Sequence, residues 1–257
     1  MYQCNRDFFE TIDTQEKAYF LGFLFADGCV YKYKNGTLST TLSLHKKDRI
    51  IIERFKSALE SKHPITTSRN MVKIQIINKK LAQDLIKHGC VPRKSLILEF
   101  PTTVPEHLLK HFIRGYSDGD GCIYWGYNKY KTNVTSEWSI LGTKEFLMGI
   151  RVLLNNELNI DAHLRKRNNV YEIRISRISD FKKSLEWLYK DIDITLLLQR
   201  KMDKFESWKN ARKIFEIELD KKSTNYNCEC EAEFCAKGLC RKHYKQMNYL
   251  KSRGENL

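Results

Sequence analysis

"IRGYSDGDGCI", Ile113 to Ile123, ends an apolar stretch in Asp-Gly-Asp-Gly, and an earlier segment, "FLGFLFADGCV", Phe20 to Val30, has the same shape. Small residues recur four apart in both: Gly22 and Ala26 in the first, Gly115 and Gly119 in the second. Residues so spaced share one helix face. A face of Gly and Ala lets two backbones approach closely, a steric argument familiar from membrane helices. Two helices, one per motif, are therefore expected to pack side by side. Gly28 and Gly121 are expected to end them in the left-handed conformation that glycine tolerates. Asp27 and Asp120 then stand at adjacent helix C-termini. A carboxylate there opposes the macrodipole by ~0.3–1 kcal/mol, and two of them repel each other. A divalent cation relieves both costs, and Mg²⁺ is commonly held by one or two carboxylates plus substrate phosphates. One Asp-Gly alone reads as a turn. Two at matching places in a repeat point to metal.

The repeat extends beyond the motifs. Alternating residues follow each, "TLSTTLSLHKKD" and "TNVTSEWSILGTKE", then the helical runs "RIIIERFKSALES" and "FLMGIRVLLNNEL". Next come the alternating segments "NMVKIQIIN" and "NVYEIRIS", and the short helices "KKLAQDLIKHG" and "ISDFKKSLEWLYKD". The order in each half is helix, strand pair, helix, strand pair, helix. In "TLSTTLSL" the residues Leu38, Leu42 and Leu44 fall on one side and Ser/Thr on the other. Helices are expected to cover one sheet face, giving an α+β unit whose other face is free for polar and basic residues. Pro101 and Pro105 in "EFPTTVPEHL" mark the boundary between halves. The expected division is 1–105, 106–222, and a tail over 223–257. "MDKFESWKNARKIFEIELDKK" reads as a helix or two short ones, and "ELDKKSTNYN" as a linker.

The chain has 257 residues, 45 Lys+Arg against 31 Asp+Glu, a net charge of +14 and a pI near 9.3. A surface this basic favours a polyanion, most simply nucleic acid. The start, "MYQCNRDFFETID", is unlike a signal peptide. No apolar run approaches the roughly 20 residues that span a bilayer. A soluble intracellular protein is expected. No P-loop, Rossmann fingerprint or Ser nucleophile elbow is present.

The two motifs resemble the signatures of the LAGLIDADG homing endonucleases in their single-chain, two-repeat form. The second, Ile113 to Gly121, is close to the family pattern; the first has Phe25 where an acid is common, and Asp118 is its counterpart. "HGCVPRKSLILEFP" and "WLYKDIDITLLLQRKMDKF" resemble the segments that close the two repeats. The resemblance covers most of residues 15–210. It implies two pseudo-symmetric αββαββα repeats whose sheets form a saddle on a long DNA duplex. It also implies cleavage of both strands with Mg²⁺ (Mn²⁺ or Ca²⁺ in its place) at Asp27 and Asp120. Lys94 in "PRKS" and Lys201 in "QRKM" would be basic catalytic residues near each site, where a cation suits a phosphorane's charge. A monomer is implied, in the cytoplasm of a bacterium or phage-infected cell, or in an organelle. An RNA-splicing maturase binding intron RNA, or a silent DNA-binding regulator, would use the same scaffold.

Contacts to DNA are expected from outward strand positions. These are Lys32, Lys34, Thr41, Ser43, Lys73 and Gln75 in the first half, and Asn128, Lys131, Asn133, Arg165, Arg167 and Arg174 in the second. Lys and Arg can read guanine edges, Asn and Gln adenine edges. The tail "CECEAEFCAKGLCRKHY" holds Cys228, Cys230, Cys235, Cys240 and His243, five soft ligands where zinc needs four. "AKGLCRKHY" resembles small zinc modules attached to phage and mobile-element endonucleases. A structural Zn²⁺ in a small C-terminal module is expected, with one ligand spare.

Overall fold

The computed structural model describes residues 2–129, 133–224, 234–236, 239–240, 243–245 and 248–249, with the backbone alone over 218–224, 234–236 and 239–240. The chain forms two compact units, one of Met1–Gly126 with Thr135–Phe205 and one of Tyr127–Val134 with Glu206–Leu257.

In chain order the first repeat is α1 (Gln15–Asp27), β1 (Gly28–Lys32), β2 (Leu38–His45), α2 (Arg49–Ala58), β3 (Ile65–Ser68), β4 (Met71–Ile76) and α3 (Lys79–Lys87). The second is α4 (Glu106–Asp120), β5 (Gly121–Tyr127), β6 (Val134–Gly142), α5 (Lys144–Leu158), β7 (His163–Arg167), β8 (Val170–Ile175) and α6 (Ile178–Tyr189). The expected αββαββα order is present twice. Each repeat makes one four-stranded sheet, ordered β1-β2-β4-β3 and β5-β6-β8-β7.

Alternation sets which face is covered. In the first sheet Leu42 pairs with Gly28 and Ile74, and Leu44 with Val72, and these residues are all buried. Helices α2 and α3 pack on this sheet with Ile51, Ile52, Phe55, Leu81 and Leu85 buried. Covering one such face removes several large apolar side chains from water, at roughly 1.5–3 kcal/mol each. Helix starts follow capping rules: Thr14, Asn78 and Thr143 each accept a backbone N–H three residues on.

The second unit contains most of α7 (Gln199–Thr224). There α7 buries Trp208, Ala211 and Phe215. It is one continuous helix, and the stretch read as a linker starts inside it, since 218–224 are helical. Two short strands, β9 (Phe234–Ala236) and β10 (Leu239–Cys240), pair antiparallel.

Candidate active site

Helices α1 and α4 lie against each other. A methyl group built at Gly22 would collide with the carbonyl oxygen of Phe112, and one at Gly115 with that of Tyr19. These are backbone atoms, so only glycine permits this approach. Gly119 faces Ala26, and a methyl there would stand 2.8 Å from Asp27 Oδ2. The small-residue faces therefore meet as expected, and Asp27 reaches across to the end of the opposite helix.

Gly28 and Gly121 do end the helices, but not in the left-handed conformation. Their φ/ψ values, −78°/157° and −83°/156°, are extended. The chain turns directly from helix into strand. Glycine is needed because a Cβ would lie 2.5 Å from the Leu24 oxygen in one case and the Ser117 oxygen in the other.

Among the described residues neither Asp27 nor Asp120 accepts a hydrogen bond. Burial, then the charge of Asp120, pushes the Asp27 carboxyl up to about 6. Burial raises Asp120 as well, against the pull of Lys94 and Lys201. Two carboxyls that are exposed at adjacent helix C-termini, crowded enough by protein to be partly desolvated and without hydrogen-bond partners among the described residues, match the charge of an oxygen-ligated divalent cation. Among the described residues no group of three or more His, Cys, Asp and Glu side chains is placed to hold a metal.

Lys94 and Lys201 converge on the same helix ends. The buried Lys94 ammonium donates to the carbonyls of Ala26 (3.2 Å) and Gly28 (2.6 Å). The buried Lys201 donates to those of Ser117, Asp118 (2.7 Å) and Gly121 (2.6 Å). Burial lowers Lys201 to about 8, with Asp118 and Asp27 opposing. Their direct partners are helix-end carbonyls, which the macrodipole leaves electron-rich.

Asp118 is buried at the same end of α4 and accepts hydrogen bonds from Tyr19 Oη (2.9 Å) and Leu198 N (2.7 Å). It thereby holds the segment that leads into α7 and Lys201. Phe25, its counterpart, instead packs edge-on against Phe112 with ring centroids 5.0 Å apart. Sequence reasoning missed Tyr116, whose hydroxyl donates to Leu141 O (2.9 Å) and is pushed up by burial, then by Asp120 and Asp27. It missed Arg200, which pairs with Asp48 through Nε–Oδ1 at 3.0 Å and Nη2–Oδ2 at 3.1 Å. The dipeptides Arg93-Lys94 and Arg200-Lys201 carried that second signal. It also missed the buried Arg114, which donates to Leu196 O (2.8 Å).

The outward positions divide. Thr41, Ser43, Lys73 and Gln75 share the outer face of the first sheet, paired Thr41–Gln75 and Ser43–Lys73. Gln75 donates to Tyr33 Oη at 3.0 Å. Lys32 does not share that face: it pairs with Leu38, in phase with Val30, on the helix-covered side at an exposed strand end. Alternation gives the outward β1 positions to Cys29 and Tyr31 instead. Lys34 sits in the β1–β2 turn. In the second half Arg165, Arg167 and Arg174 all lie on the outward side, in phase with Glu172. Asn128 and Asn133 close the β5–β6 connection on each other, Asn128 N donating to Asn133 O (3.0 Å) and Asn133 N to Asn128 Oδ1 (3.2 Å). Lys131, Cys228 and Cys230 lie outside the described residues, as do the side chains of Cys235 and Cys240. His243 is helical, as are Tyr244 and Lys245.

The LAGLIDADG-like domain family matches residues 108–188. No curated protein sequence matches the chain. Among solved structures it is similar to the LAGLIDADG meganuclease I-AabMI bound to uncleaved DNA, with a TM-score of 0.58 and 16% identity over 93% of this chain and 98% of that one. It is similar to the LAGLIDADG homing endonuclease I-LtrWI bound to target DNA (0.57, 14%, 93% and 97%) and to I-GzeII in complex with its DNA target (0.56, 12%, 91% and 97%). At these identities the likeness establishes the fold: a LAGLIDADG fold with both motifs on one chain.

Proposed function

We propose that the chain is a site-specific homing endonuclease that cuts both strands of a long DNA duplex. The observation that carries this is the pair Asp27 and Asp120, raised and without hydrogen-bond partners at two helix ends that glycine holds together. Asp27 and Asp120 would hold Mg²⁺. Such an ion, when bound, polarises phosphate oxygens and makes water more acidic. The protein's own part is positional. Lys94 and Lys201 neutralise the helix ends and keep the two carboxylates close. Asp118 fixes the start of α7. The outward sheet faces supply Lys, Arg, Thr and Gln to phosphates and bases. A catalytic share for Lys94 and Lys201 goes with this reading through their charge, which pulls against the rise of both carboxyls.

The three-part division at 105 and 222 and a monomeric state also belong to it, because one chain carries both motifs. Soluble intracellular residence is part of the same reading; among the described residues no helix is long and apolar enough to cross a membrane. For the tail we infer a structural Zn²⁺ held by four of Cys228, Cys230, Cys235, Cys240 and His243. The clustering of soft ligands in a segment too short for a core supports it.

The test is incubation with Mg²⁺ and a library of random duplexes, followed by sequencing of cut ends. One recurrent site cut on both strands is expected. Asp27→Asn and Asp120→Asn should each stop double-strand cutting and keep binding. Affinity should fall with salt at a log–log slope of about −0.9 per phosphate neutralised. A maturase would bind intron RNA without cutting, and a regulator would bind duplex without cutting. Metal analysis should find one zinc in the full chain and none after truncation at Ser223.

A further inference from the structure

The outward face of the second sheet contains a buried acid. Glu172 lies in the middle of β8 and is only 3% exposed. It points away from the helices, in phase with Arg174 on its own strand and directly opposite Arg165 on β7. What covers it is arginine. Arg165 Nε is bonded to Glu172 Oε2, Arg167 Nε is 3.3 Å from the same oxygen, and Arg174 Nε is 3.5 Å from it. Arg174 is braced from the neighbouring strand as well, its Nη1 2.8 Å from Glu137 Oε2.

Three features set this cluster apart from ordinary surface pairing. First, three cations crowd one oxygen of one carboxylate. Without that charge they would repel and spread, since like charges opposite one another on a sheet face destabilise it. Second, each guanidinium turns its Nε edge to Glu172. Arg167, whose side chain is 49% exposed, has no other ion pair or hydrogen bond among the described residues, whereas Arg165 Nη2 is buried without a partner and Arg174 Nη1 is taken by Glu137. Third, the first sheet has no such device. Its outward positions, Thr41, Ser43, Thr66, Lys73 and Gln75, are neutral or singly basic, and no acid stands among them.

An acid facing DNA has one direct use, accepting from cytosine N4. Glu172 cannot serve it, because it is buried beneath arginines and its Oε2 is committed to them. Its effect must pass through its neighbours. A guanidinium held at Nε presents a fixed fork, and a fork of that kind pairs bidentately with guanine O6 and N7. Orientation matters because a freely moving arginine contacts phosphates at any sequence, whereas a fixed one selects a base.

Resting on the endonuclease reading, we infer that Glu172 is a positioning residue for specificity: with Arg165 and Arg174 packed around the same oxygen, it fixes Arg167 to read a G·C pair in the half-site under β7 and β8.

The experiment compares duplex libraries enriched without divalent metal by the wild-type chain, Glu172→Gln and Arg167→Gln. Glu172→Gln keeps the shape and removes the charge. Its preference for guanine at one pair on one side of the site should fall by about tenfold or more. Its binding to unrelated duplex should hold or rise, because the face loses a negative charge. The other half-site should keep its base preferences, which a general loss of structure would not allow. Arg167→Gln, a change at an exposed side chain, should lose preference at that same pair. Glu172→Asp should recover part of the lost preference. If Glu172→Gln or Arg167→Gln enriches the wild-type sequence at every position, the inference falls. Should Glu172→Gln fail to fold, Arg167→Gln alone decides. If the wild-type chain enriches and cuts one site while the variants read it unchanged, only this inference fails; if it enriches no duplex, the endonuclease reading fails with it.

Discussion

Lys94 and Lys201 make the same bond in the two halves: each ammonium donates at 2.6 Å to the carbonyl of the glycine that follows its motif helix, Gly28 or Gly121. Lys201 adds two more carbonyls of α4, whereas Lys94 adds one of α1. Helix C-termini carry orphan carbonyls and partial negative charge, and here each also carries an aspartate. A buried lysine answers both. Lys201→Met should cost about 3 kcal/mol and Lys94→Met about 2, because charge-assisted bonds and buried carbonyls lose their partner. Urea unfolding without DNA or metal measures this. A variant that loses cutting while keeping full stability would show that the lysine's share is chemical and that its bonds to these carbonyls do not hold the fold.

The contact between α1 and α4 depends on glycine in a way that can be separated from glycine's flexibility. Gly22→Ala and Gly115→Ala place a methyl onto the backbone of the opposite helix, which cannot rotate away. Each should destabilise the fold by about 3 kcal/mol or prevent folding, and should abolish cutting by parting Asp27 from Asp120. Gly36→Ala is the control. Gly36 has φ of +82° and open space around its Cβ position, so it should cost only about 1 kcal/mol and leave cutting intact. Equal effects at Gly22 and Gly36 would mean that helix contact is not what these motif glycines provide.

His111 offers a pH signature within α4. Its Nδ1 accepts from Arg114 Nη1 at 2.9 Å, and burial, then Arg114, Lys110 and His107, lower it to about 4. In the unfolded chain it takes up a proton near pH 6.5. Between those values the unfolded state binds the extra proton, so stability from this group is complete above about 6.5 and is lost as pH falls towards 4. Allowing for solvent screening, about 2 kcal/mol should disappear between pH 7.5 and 4.5. His111→Gln should lose that much less over the same range. Parallel curves for the two proteins would show that His111 is not the group responsible.

What was legible in the sequence was periodic. Gly22, Ala26, Gly115 and Gly119 announce a helix pair through spacing alone, and Leu38, Leu42 and Leu44 announce a covered sheet face. Both signals are local, and the repeat states each twice. What stayed hidden needs pairing register or depth. Lys32 looks outward until the β1–β2 register sets it opposite Leu38. Glu172, in the middle of "NVYEIRIS", is an ordinary strand acid until β7 places Arg165 across from it. Gly28 and Gly121 satisfy a left-handed cap by composition, yet the cause is the oxygen of the preceding turn. Arg114 reads as a surface charge, and it is buried by contacts distant in sequence, among them Leu196 O, Leu188 O and the Tyr19 ring.

Cys29 and Cys122 provide a test of the DNA face that needs no cleavage. Each is the second residue of the strand that leaves an active-site helix, beside Asp27 and Asp120 respectively, and both are free and exposed. In the first sheet Cys29 pairs with Thr41, on the side away from the helices. Cys90 is the internal contrast: it is buried, burial pushes its thiol up to about 12, and it donates to Leu24 O. Reactivity requires an accessible thiolate, so maleimide should modify Cys29 and Cys122 and spare Cys90 in the folded protein. Duplex carrying the recurrent site should then slow modification of Cys29 and Cys122 together, by about tenfold at saturation, since one duplex crossing both sheets covers both thiols. Peptide mapping by mass spectrometry resolves the two sites from the tail cysteines. Protection of only one would mean that the duplex engages a single repeat, and protection of neither would remove DNA from this face.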